Sequence, residues 1–354
     1  CQQPRRLTPP VHLLRHIMRI GIAFTLKPDA PLPAGAPDDA HEEFDSPVTI
    51  AAIAEALQSL GHSVVELGDG KPLVRKLLAD PPDFVFNISE GEGVGRNREA
   101  RVPAVCELLG IPYTGSDPLT LAAALDKDMT RRIVGDAGIT LPKGFVLNPP
   151  PTPYDGDGCE FPALLDAHGF TFPVIAKPVC EGSSKGIRNR CLVRTPEEFA
   201  PVLVELWTNY RQPVLVEEFI SGDEVTVGVI GNNPPQVLGC MKVVPNTPTS
   251  EFVYSLEVKR NWEQLVTYEC PAQLPRGVRE ALEQEALAAY EAMSCRDVAR
   301  MDFRVRDGVP YFIEVNPLPG MNPVWSDLML IAKAMGSTHS EVIARILAAA
   351  VARQ

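Results

Sequence analysis

Lys177 ends a short apolar run and is followed by a loop of small residues. The run is Pro-Val-Ile-Ala-Lys-Pro (173–178) and the loop is Glu-Gly-Ser-Ser-Lys-Gly (181–186). In a strand, alternate side chains share a face, so a rigid element would aim the lysine ammonium. Glycine lets backbone approach a ligand, and successive N–H groups can hold an anion. The pattern favours polyphosphate binding without the spacing of a Walker A loop; an ordinary surface turn is the alternative.

A second set of polar side chains interrupts two apolar segments that an Arg-Asp-Gly turn connects, a pattern typical of a hairpin. Period two places Arg300, Asp302 and Arg304 on one face of the first strand, and Glu314 and Asn316 on one face of the second. If these faces coincide, their oxygens suit Mg²⁺, with phosphate oxygens completing its octahedron. An arginine beside that metal would neutralise charge on a phosphoryl group or an oxyanion. A cross-strand Arg–Glu pair without any ligand is the alternative.

Alternating strands and helices follow Met18 in the first third of the chain. Strands are predicted at 18–24, 62–67 and 83–87, with helices beginning at Ser46-Pro47 and at Lys71. This alternation predicts an open parallel sheet with ligands at the carboxyl ends of its strands. The loop 87–95 lies at that edge but lacks the spacing of a dinucleotide-binding loop, so a plain flexible loop is equally open.

The rest of the chain predicts a mixture of helices and antiparallel strands. A single helix is expected over 118–136, a small sheet with one or two helices over 173–240, and strands with a long loop over 241–268. The other expected elements are helices at 98–109, 196–207, 276–293, 326–334 and 340–353, and strands at 214–220, 224–230, 298–305 and 310–315. Prolines at 149–153 mark a candidate boundary region.

Composition describes a folded globular protein of two or three domains. The chain has 354 residues, of which 45% are hydrophobic and 22% charged. The net charge of −12 argues against a nucleic-acid partner, and no apolar segment is long enough to span a bilayer. The eight cysteines form no C-x-x-C pair, which favours free thiols in a reducing cytoplasm. Residues 1–17 are basic and proline-bearing, and we expect a disordered leader there.

Short motifs in a fixed order connect these observations. They are Gly-Ile-Pro-Tyr-Thr-Gly-Ser (110–116), Asp126-Lys127, the lysine strand and loop (173–184), Val-Glu-Glu-Phe-Ile (216–220) with Glu224, Arg300-Met-Asp302, and Ile-Glu-Val-Asn-Pro-x-Pro-Gly-Met (313–321). In this order the chain resembles the D-alanine–D-alanine ligase branch of the ATP-grasp superfamily. The resemblance implies an ATP-grasp fold, α/β and α+β, with an N-terminal Rossmann-like domain. It implies a substrate domain at 18–125, a small ATP-grasp lobe at 126–240, and a C-terminal lobe at 241–354 that carries the metal and catalytic residues.

The resemblance also implies residue roles. For ATP, Lys127 and Lys177 would contact the phosphates, and the loop that closes over the triphosphate would include Glu181 and Ser184. Adenine would be bound by the segment Glu217, Glu218, Phe219 and Ile220. Ribose would be bound by Glu224. For catalysis, Arg300 and the Gly320 backbone would hold the acyl phosphate and the tetrahedral intermediate, Ser183 would orient the active-site loop, and Lys259 would close over the γ-phosphate. For the metal, the ligands would be Asp302, Glu314 and Asn316.

The implied reaction has two steps. A carboxylate attacks the γ-phosphorus of ATP to give an acyl phosphate and ADP, and the amine of a second amino acid then displaces phosphate to form a dipeptide. Positioning and electrostatics carry such phosphoryl transfer, which needs no protein nucleophile. The implied cofactors are ATP and two Mg²⁺ ions, with Mn²⁺ as a substitute. A cytoplasmic homodimer acting on amino acids for peptidoglycan precursors is the family expectation.

The sequence departs from the family pattern at both amino-acid pockets. Arg260 stands where family members have a tyrosine or a phenylalanine, and the loop 87–95 replaces a His-Gly-x-x-Gly-Glu-Asp-Gly loop. The glutamate that binds the first ammonium has no clear match, with Glu43 and Asp45 nearest. The turn that leads to Ser326, a candidate for the second substrate, is one residue longer.

Three interpretations therefore stay open. The first is a D-alanine–D-alanine-type ligase. The second is a related ligase that joins another carboxylate to an amino acid, with Arg260 binding a substrate carboxylate or reorganising the closing loop. The third is a nucleotide-binding protein that has lost catalysis. Taken by itself, Lys127 is typical of a solvated helix face.

Overall fold

The computed structural model describes residues 16–150 and 160–354. Most of the predicted leader, residues 1–15, and the prolines at 151 and 153 lie outside these ranges. In the described part, three sheets are covered by helices, and no helix there is both long and apolar enough to cross a membrane. The described cysteines are free thiols, as predicted.

The N-terminal unit is a three-stranded parallel sheet in the order β2-β1-β3. Its elements are β1 (Arg19–Ala23), α1 (Pro47–Ser59), β2 (Ser63–Gly68), α2 (Gly70–Ala79), β3 (Phe84–Asn87) and α3 (Arg101–Leu109). The predicted start of α1 is confirmed, because the Ser46 side chain caps the helix through Thr49 N at 3.3 Å. The carboxyl ends of β1 and β3 therefore face one common edge, as expected of this topology.

The helix predicted over 118–136 is in fact two helices, α4 (Pro118–Leu125) and α5 (Lys127–Asp136). Asp126 is extended between them (φ −92°, ψ 103°), and its carboxylate accepts hydrogen bonds from Asp128 N at 3.1 Å and Met129 N at 3.0 Å. The single-helix prediction is wrong because Asp126 caps a new helix instead of continuing the old one. The break places Lys127 at the first position of α5, where its backbone N–H donates to Val179 O at 3.0 Å.

The central unit is an antiparallel sheet in the order β4-β7-β5-β6. Its elements are β4 (Gly144–Leu147), α6 (Glu160–Ala167), β5 (Val174–Pro178), β6 (Leu192–Val193), α7 (Pro196–Tyr210) and β7 (Val214–Glu218). The apolar face of α7, including Phe199 and Leu203, packs on Val174 and Val216 of the sheet. Lys177 is held near the end of β5, where it pairs with Leu215 of β7.

The C-terminal unit is an antiparallel sheet in the order β10-β9-β8-β11-β12. Its elements are β8 (Asp223–Ile230), β9 (Gln236–Pro245), α8 (Leu256–Arg260), α9 (Trp262–Leu265), β10 (Val266–Glu269), α10 (Arg276–Ala292), β11 (Val298–Arg306), β12 (Val309–Asn316), α11 (Asp327–Ala334) and α12 (His339–Ala352). The boundary predicted after residue 240 falls inside β9, and β8 pairs with β11 along its length. We therefore place the start of this lobe at Asp223.

The segment 241–268 contains two short helices, α8 and α9, besides the expected strands. Its loop lies over the central unit: Ser184 Oγ donates to Tyr254 O at 3.4 Å, and Leu256 N donates to Ile187 O at 2.9 Å. The segment thus covers the loop 181–186 in this structure.

Candidate functional site

A cavity of about 390 Å³ lies where the three units meet. It is lined by the loops after β1 and β3 and by the hairpin of β11 and β12. Among the residues predicted for catalysis and metal binding, those that line the cavity are Ser183, Lys259, Arg300, Glu314, Asn316 and Gly320. Those predicted to bind ATP or substrates that also line it are Glu43, Lys127, Glu181, Arg260 and Ser326.

The polar faces of β11 and β12 coincide, which the sequence left as a condition, because a register shift between Asp302 and Phe303 brings Glu314 opposite Asp302. Asp302 pairs directly with Glu314, and Arg300 pairs with Asn316. Asp302 Oδ1 accepts from Thr226 Oγ1 at 2.8 Å, and Asp302 Oδ2 accepts from Asn316 Nδ2 at 3.3 Å. In the described ranges no three His, Cys, Asp or Glu side chains form a metal-binding group. The set here is two carboxylates and an amide, which fits Mg²⁺ when phosphate and water oxygens supply the other positions.

Cations surround Glu314. Its Oε2 lies 3.5 Å from Lys127 Nζ and its Oε1 lies 3.9 Å from Arg300 Nη2. Burial raises the pKa of Glu314, but Lys127, Arg300, Lys177 and Lys259 outweigh it and lower that pKa to about 2. Glu314 is therefore an anion at any physiological pH. For Asp302, burial is the larger influence and raises the pKa against the pull of Arg300.

Arg300 is fixed by carboxylates on two elements. Its Nε and Nη2 donate to the two oxygens of Asp302 at 3.1 and 2.9 Å, a bidentate pair, and its Nη1 lies 3.3 Å from Asp327 Oδ2 on α11. The guanidinium therefore borders the cavity in one orientation. Such a preorganised cation can stabilise negative charge that develops there.

The turn after β12 folds tightly around Ser326. Ser326 Oγ accepts from Asn322 N at 2.8 Å, and a Cβ on Gly320 would meet that oxygen at 2.9 Å. The longer turn therefore still brings Ser326 and Gly320 together at the cavity wall. A side chain at 320 would push the serine away, which explains the need for glycine at this position.

Both predicted phosphate lysines are buried and neither faces bulk solvent. Lys127 Nζ donates to Glu181 O. Lys177 is 3% exposed, and its Nζ lies 2.5 Å from Glu217 Oε2. Ser183 and Ser184 have positive φ values of 49° and 60°, so the loop 181–186, which follows Lys177 in the chain, is sharply folded.

The residues predicted for the nucleotide meet in a second cavity of about 80 Å³ on the other side of this loop. It is lined by Lys177, Glu224 and the segment 217–220, together with Ser184 and Tyr254. Because Ser184 and Tyr254 are bonded to each other, the cover over this cleft is closed.

The carboxylates of the nucleotide cleft are paired with protein cations. Glu217 contacts Arg131 and Lys177, and Glu218 lies 2.7 Å from Arg306. Glu224 lies 2.8 Å from Arg304; burial raises the pKa of Glu224, and Arg304 opposes that rise.

A buried ionic cluster was not predicted from the sequence. Arg98 Nη2 lies 2.9 Å from Glu43 Oε2 and 3.2 Å from Glu181 Oε2, while Lys185 Nζ lies 3.0 Å from Glu43 Oε1 and 2.7 Å from Glu181 Oε2. Glu43, predicted to receive a substrate ammonium, is therefore already paired with two cations of its own chain. Lys185, a charged residue inside the loop of small residues at 181–186, is the sequence feature that could have indicated this cluster.

Arg260 is likewise engaged within the protein. Its guanidinium contacts Asp38 Oδ2 at 2.7 Å and Glu42 Oε2 at 2.8 Å, both in the loop between β1 and α1. If Arg260 bound a substrate carboxylate, that carboxylate would have to compete with Asp38 and Glu42 for the guanidinium. The observed contacts favour the other role considered for Arg260, fastening the covering segment to the N-terminal unit.

We expect Arg260→Ala to loosen the segment 246–265 without unfolding the protein. Exposed ion pairs contribute about 0–1 kcal/mol each, so the midpoint of urea unfolding should change little. Amide hydrogen exchange in 246–265 should accelerate by about fivefold, the effect of roughly 1 kcal/mol of lost local stability. Arg132→Ala, which removes an exposed helix pair with Asp128, is the matched control. Unchanged exchange in the Arg260 variant would contradict the fastening role.

Comparison with known proteins gives consistent matches. Residues 160–348 match the family model described as D-ala D-ala ligase C-terminus. The D-alanine–D-alanine ligase of Aquifex aeolicus is 33% identical over 84% of this chain and 92% of its own length, and that of Geobacter sulfurreducens is 32% identical over 84% and 87%. The crystal structure of D-alanine–D-alanine ligase from Bacillus anthracis superposes with a TM-score of 0.70 at 22% identity, covering 95% of this chain and 98% of that one.

Proposed function

The chain belongs to the D-alanine–D-alanine ligase family and has the ATP-grasp fold, and from this premise we propose that it joins a carboxylate to an amine at the expense of ATP. The products are an amide, ADP and phosphate. The observation that carries the proposal is the convergence of Lys127, Glu314 and Arg300 at the wall of the 390 Å³ cavity, with Asp302 bonded to Arg300 and lining the 80 Å³ cavity. This arrangement supplies fixed cations and hard oxygen ligands where a phosphoryl group would transfer.

In the first step a carboxylate oxygen of the first substrate bonds to the γ-phosphorus, and the bond from that phosphorus to ADP breaks. Lys127 and Lys177 would hold phosphate oxygens, because both ammonium groups are buried beside the loop 181–186. Asp302, Glu314 and Asn316 would hold Mg²⁺, which when bound neutralises charge on those oxygens. Lys259, on the covering segment, would approach from the side that both cavities share.

In the second step the amine nitrogen bonds to the acyl carbon, phosphate leaves with its bonding electrons, and the amine loses a proton. Negative charge develops on the acyl oxygen before phosphate departs. Arg300 and the backbone at Gly320 would stabilise that oxygen, since both border the same cavity. Ser183 would orient the loop that closes this space. No side chain needs to form a covalent bond with the substrate.

The first candidate activity is synthesis of D-alanyl-D-alanine for peptidoglycan precursors. A second candidate is ligation of a different carboxylate and amino acid. Two contacts favour the second: Glu43 is paired with Arg98 and Lys185, and Arg260 is paired with Asp38 and Glu42. Neither side chain is thus free for the amino-acid role considered for it. A cytoplasmic location and a homodimer stay predictions from the family.

The experiment that tests the proposal is amino-acid-dependent formation of ADP. The purified chain is incubated with ATP, Mg²⁺ and single amino acids or pairs, and products are identified by mass spectrometry. ADP with a dipeptide from D-alanine alone supports the first candidate, and ADP with an amide from another pair supports the second. ATP binding without ADP formation across the panel would contradict a ligase and favour the non-catalytic interpretation.

A further inference from the structure

Three carboxyl groups of the N-terminal unit line the cavity without an ion pair. They belong to Asp45 before α1, Glu90 after β3 and Glu99 before α3. Across residues 16–150 and 160–354, none of the three has an ion pair or a side-chain hydrogen bond. They lie in loops at the carboxyl-end edge of the parallel sheet.

The other acidic residues that line the cavity are all neutralised by the protein. Glu42 is paired with Arg260, and Asp327 is paired with Arg300. Glu43 and Glu181 share Arg98 and Lys185, and Glu314 is paired with Lys127 and Arg300, as described above. The unpaired acids are therefore a separate set, contributed by the loops of the N-terminal unit.

Glu99 distinguishes this set from an ordinary acidic surface. It is only 7% exposed, yet it lines the cavity and no group of the described chain bonds to it. A buried carboxylate without a partner costs several kcal/mol, and proteins usually avoid it. A ligand that enters the cavity could supply the missing partner.

The electrostatics of the three groups agree with a missing cation. Burial, opposed mainly by Arg98, raises the pKa of Glu99 to about 7. Burial raises the pKa of Asp45 to about 7 as well. Burial together with the nearby Glu99, Glu43 and Asp45 raises the pKa of Glu90 well above its usual range. Each group would ionise more readily beside a positive charge.

We propose that the first substrate is a basic amino acid, whose α-ammonium and cationic side chain are bound by Asp45, Glu90 and Glu99. The inference rests on the proposed ligase function and deepens it. One α-ammonium can pair with one or two of these carboxylates, whereas three acids without internal partners suit two cationic groups. The reacting carboxylate of that substrate would point the opposite way, toward Lys127 and Arg300.

The dimensions of the cavity agree with this assignment. Its volume of about 390 Å³ is within the range of about 300–1,000 Å³ typical of small-molecule sites. A side chain longer than the methyl group of alanine can therefore be accommodated. Hydrogen bonds to ionised groups in such a site contribute about 1.5–3 kcal/mol each, which makes the presence of a side-chain cation decisive.

The test compares substrates that differ only in the cation. The full chain is assayed for ADP with the D- and L-forms of lysine, ornithine and arginine, and with norleucine, alanine and glutamate, each alone and with alanine as the amine partner. Norleucine has the length of lysine without its charge. We expect kcat/KM for a basic amino acid to exceed that for norleucine of the same configuration by about 10- to 100-fold.

Two variants test whether the carboxylates cause the preference for a basic substrate over norleucine. Glu99→Gln and Glu90→Gln should each lower kcat/KM for the basic substrate by about tenfold or more. Norleucine retains only the α-ammonium, so its loss should be smaller and the lysine-to-norleucine ratio should fall in at least one variant. Neither replacement leaves a cation unpaired, so the fold should persist, which thermal unfolding verifies. Glu55→Gln, on the exposed face of α1, is the matched control and should alter neither value.

The outcomes separate this inference from the proposed function. Equal use of lysine and norleucine, preference for glutamate, or an unchanged lysine-to-norleucine ratio in both variants would overturn the inference while the ligase function stands. Absence of ADP with every amino acid would overturn both.

Discussion

Replacement of Arg300 by alanine is expected to abolish ligation while ATP binding stays within a few-fold of that of the unchanged protein. Arg300 is the cation that borders the cavity in a fixed orientation, held by Asp302 and Asp327. Loss of a preorganised cation that stabilises transition-state charge lowers kcat by about 10³-fold or more. The measurements are product formation by mass spectrometry and titration with a non-hydrolysable ATP analogue.

A second variant keeps this prediction independent of folding. Arg300→Ala leaves Asp302 and Asp327 without their cation, so it also lowers stability. Arg300→Lys keeps the charge and the fold but cannot form the bidentate pair, and we expect a loss of about 10²-fold in kcat. Arg276→Ala, which breaks an exposed pair with Glu280, is the control and should be fully active. Ligation by either Arg300 variant at the rate of the control would remove Arg300 from the catalytic machinery.

The hairpin at the centre of this prediction was readable from the sequence because its signals are local. Alternation along one strand fixes which side chains share a face, and the short Arg-Asp-Gly turn fixes which strand lies beside it. The observed pairing of Asp302 with Glu314 needs one feature more, a register shift between Asp302 and Phe303, without which Asp302 would lie opposite Ile313. No local signal in the sequence indicates that shift. The parallel sheet of the N-terminal unit was predicted for the same reason, from β–α alternation.

Other features depend on contacts that no local pattern contains. Residues 118–136 look like one helix because residues that favour helix lie on both sides of Asp126, alanines and leucines before it and lysine, methionine and arginines after it. Only the capping contacts of Asp126 break the helix. The predicted start of the C-terminal lobe falls inside β9, and β8 pairs with β11, a strand far along the chain. Sequence order alone groups β8 with the preceding strands.

The same limit applied to the substrate side of the site. Glu43 was a reasonable ammonium ligand by its position, but Arg98 and Lys185 reach it from two distant segments. Conversely, Glu99 gave no signal in the sequence, since its isolation is visible only when the residues around it are known. ATP-binding motifs are short and local, whereas the amino-acid pocket is assembled from loops of several units. The sequence therefore carries more local signal for the residues expected to bind nucleotide than for those expected to bind amino acids, and both assignments stay predictions.

The closed arrangement of the cover follows from the same assembly. Segment 246–265 contacts the loop 181–186 through Tyr254 and the N-terminal unit through Arg260. Substrates and nucleotide must therefore enter before these contacts form, or the contacts must open. Arg260→Ala therefore tests how the covering segment is fastened, whereas Arg300→Ala tests the chemistry of the site.

Glu314→Gln is expected to lower kcat by about 10²- to 10³-fold and to raise the Mg²⁺ concentration needed for half-maximal activity. The pKa of Glu314 is lowered to about 2, so the wild-type group is anionic throughout the working pH range. Glutamine keeps the shape but removes the charge that Lys127 and Arg300 share. Because the folded-state pKa lies below the ordinary value of 4.5, this charge stabilises the fold above about pH 4.5, and the contribution is lost as pH falls toward 2.

The variant should therefore be less stable than the unchanged protein at pH 7, and the difference should shrink as the pH is lowered toward 2. Urea unfolding at several pH values measures this, and ADP formation against Mg²⁺ concentration measures the catalytic part. Glu269→Gln, which removes a partly exposed pair with Lys242 on β9, is the control for charge alone. If Glu314→Gln keeps the Mg²⁺ dependence and the rate of that control, the carboxylate at 314 is not a metal ligand, and the hairpin holds only a structural network of ion pairs.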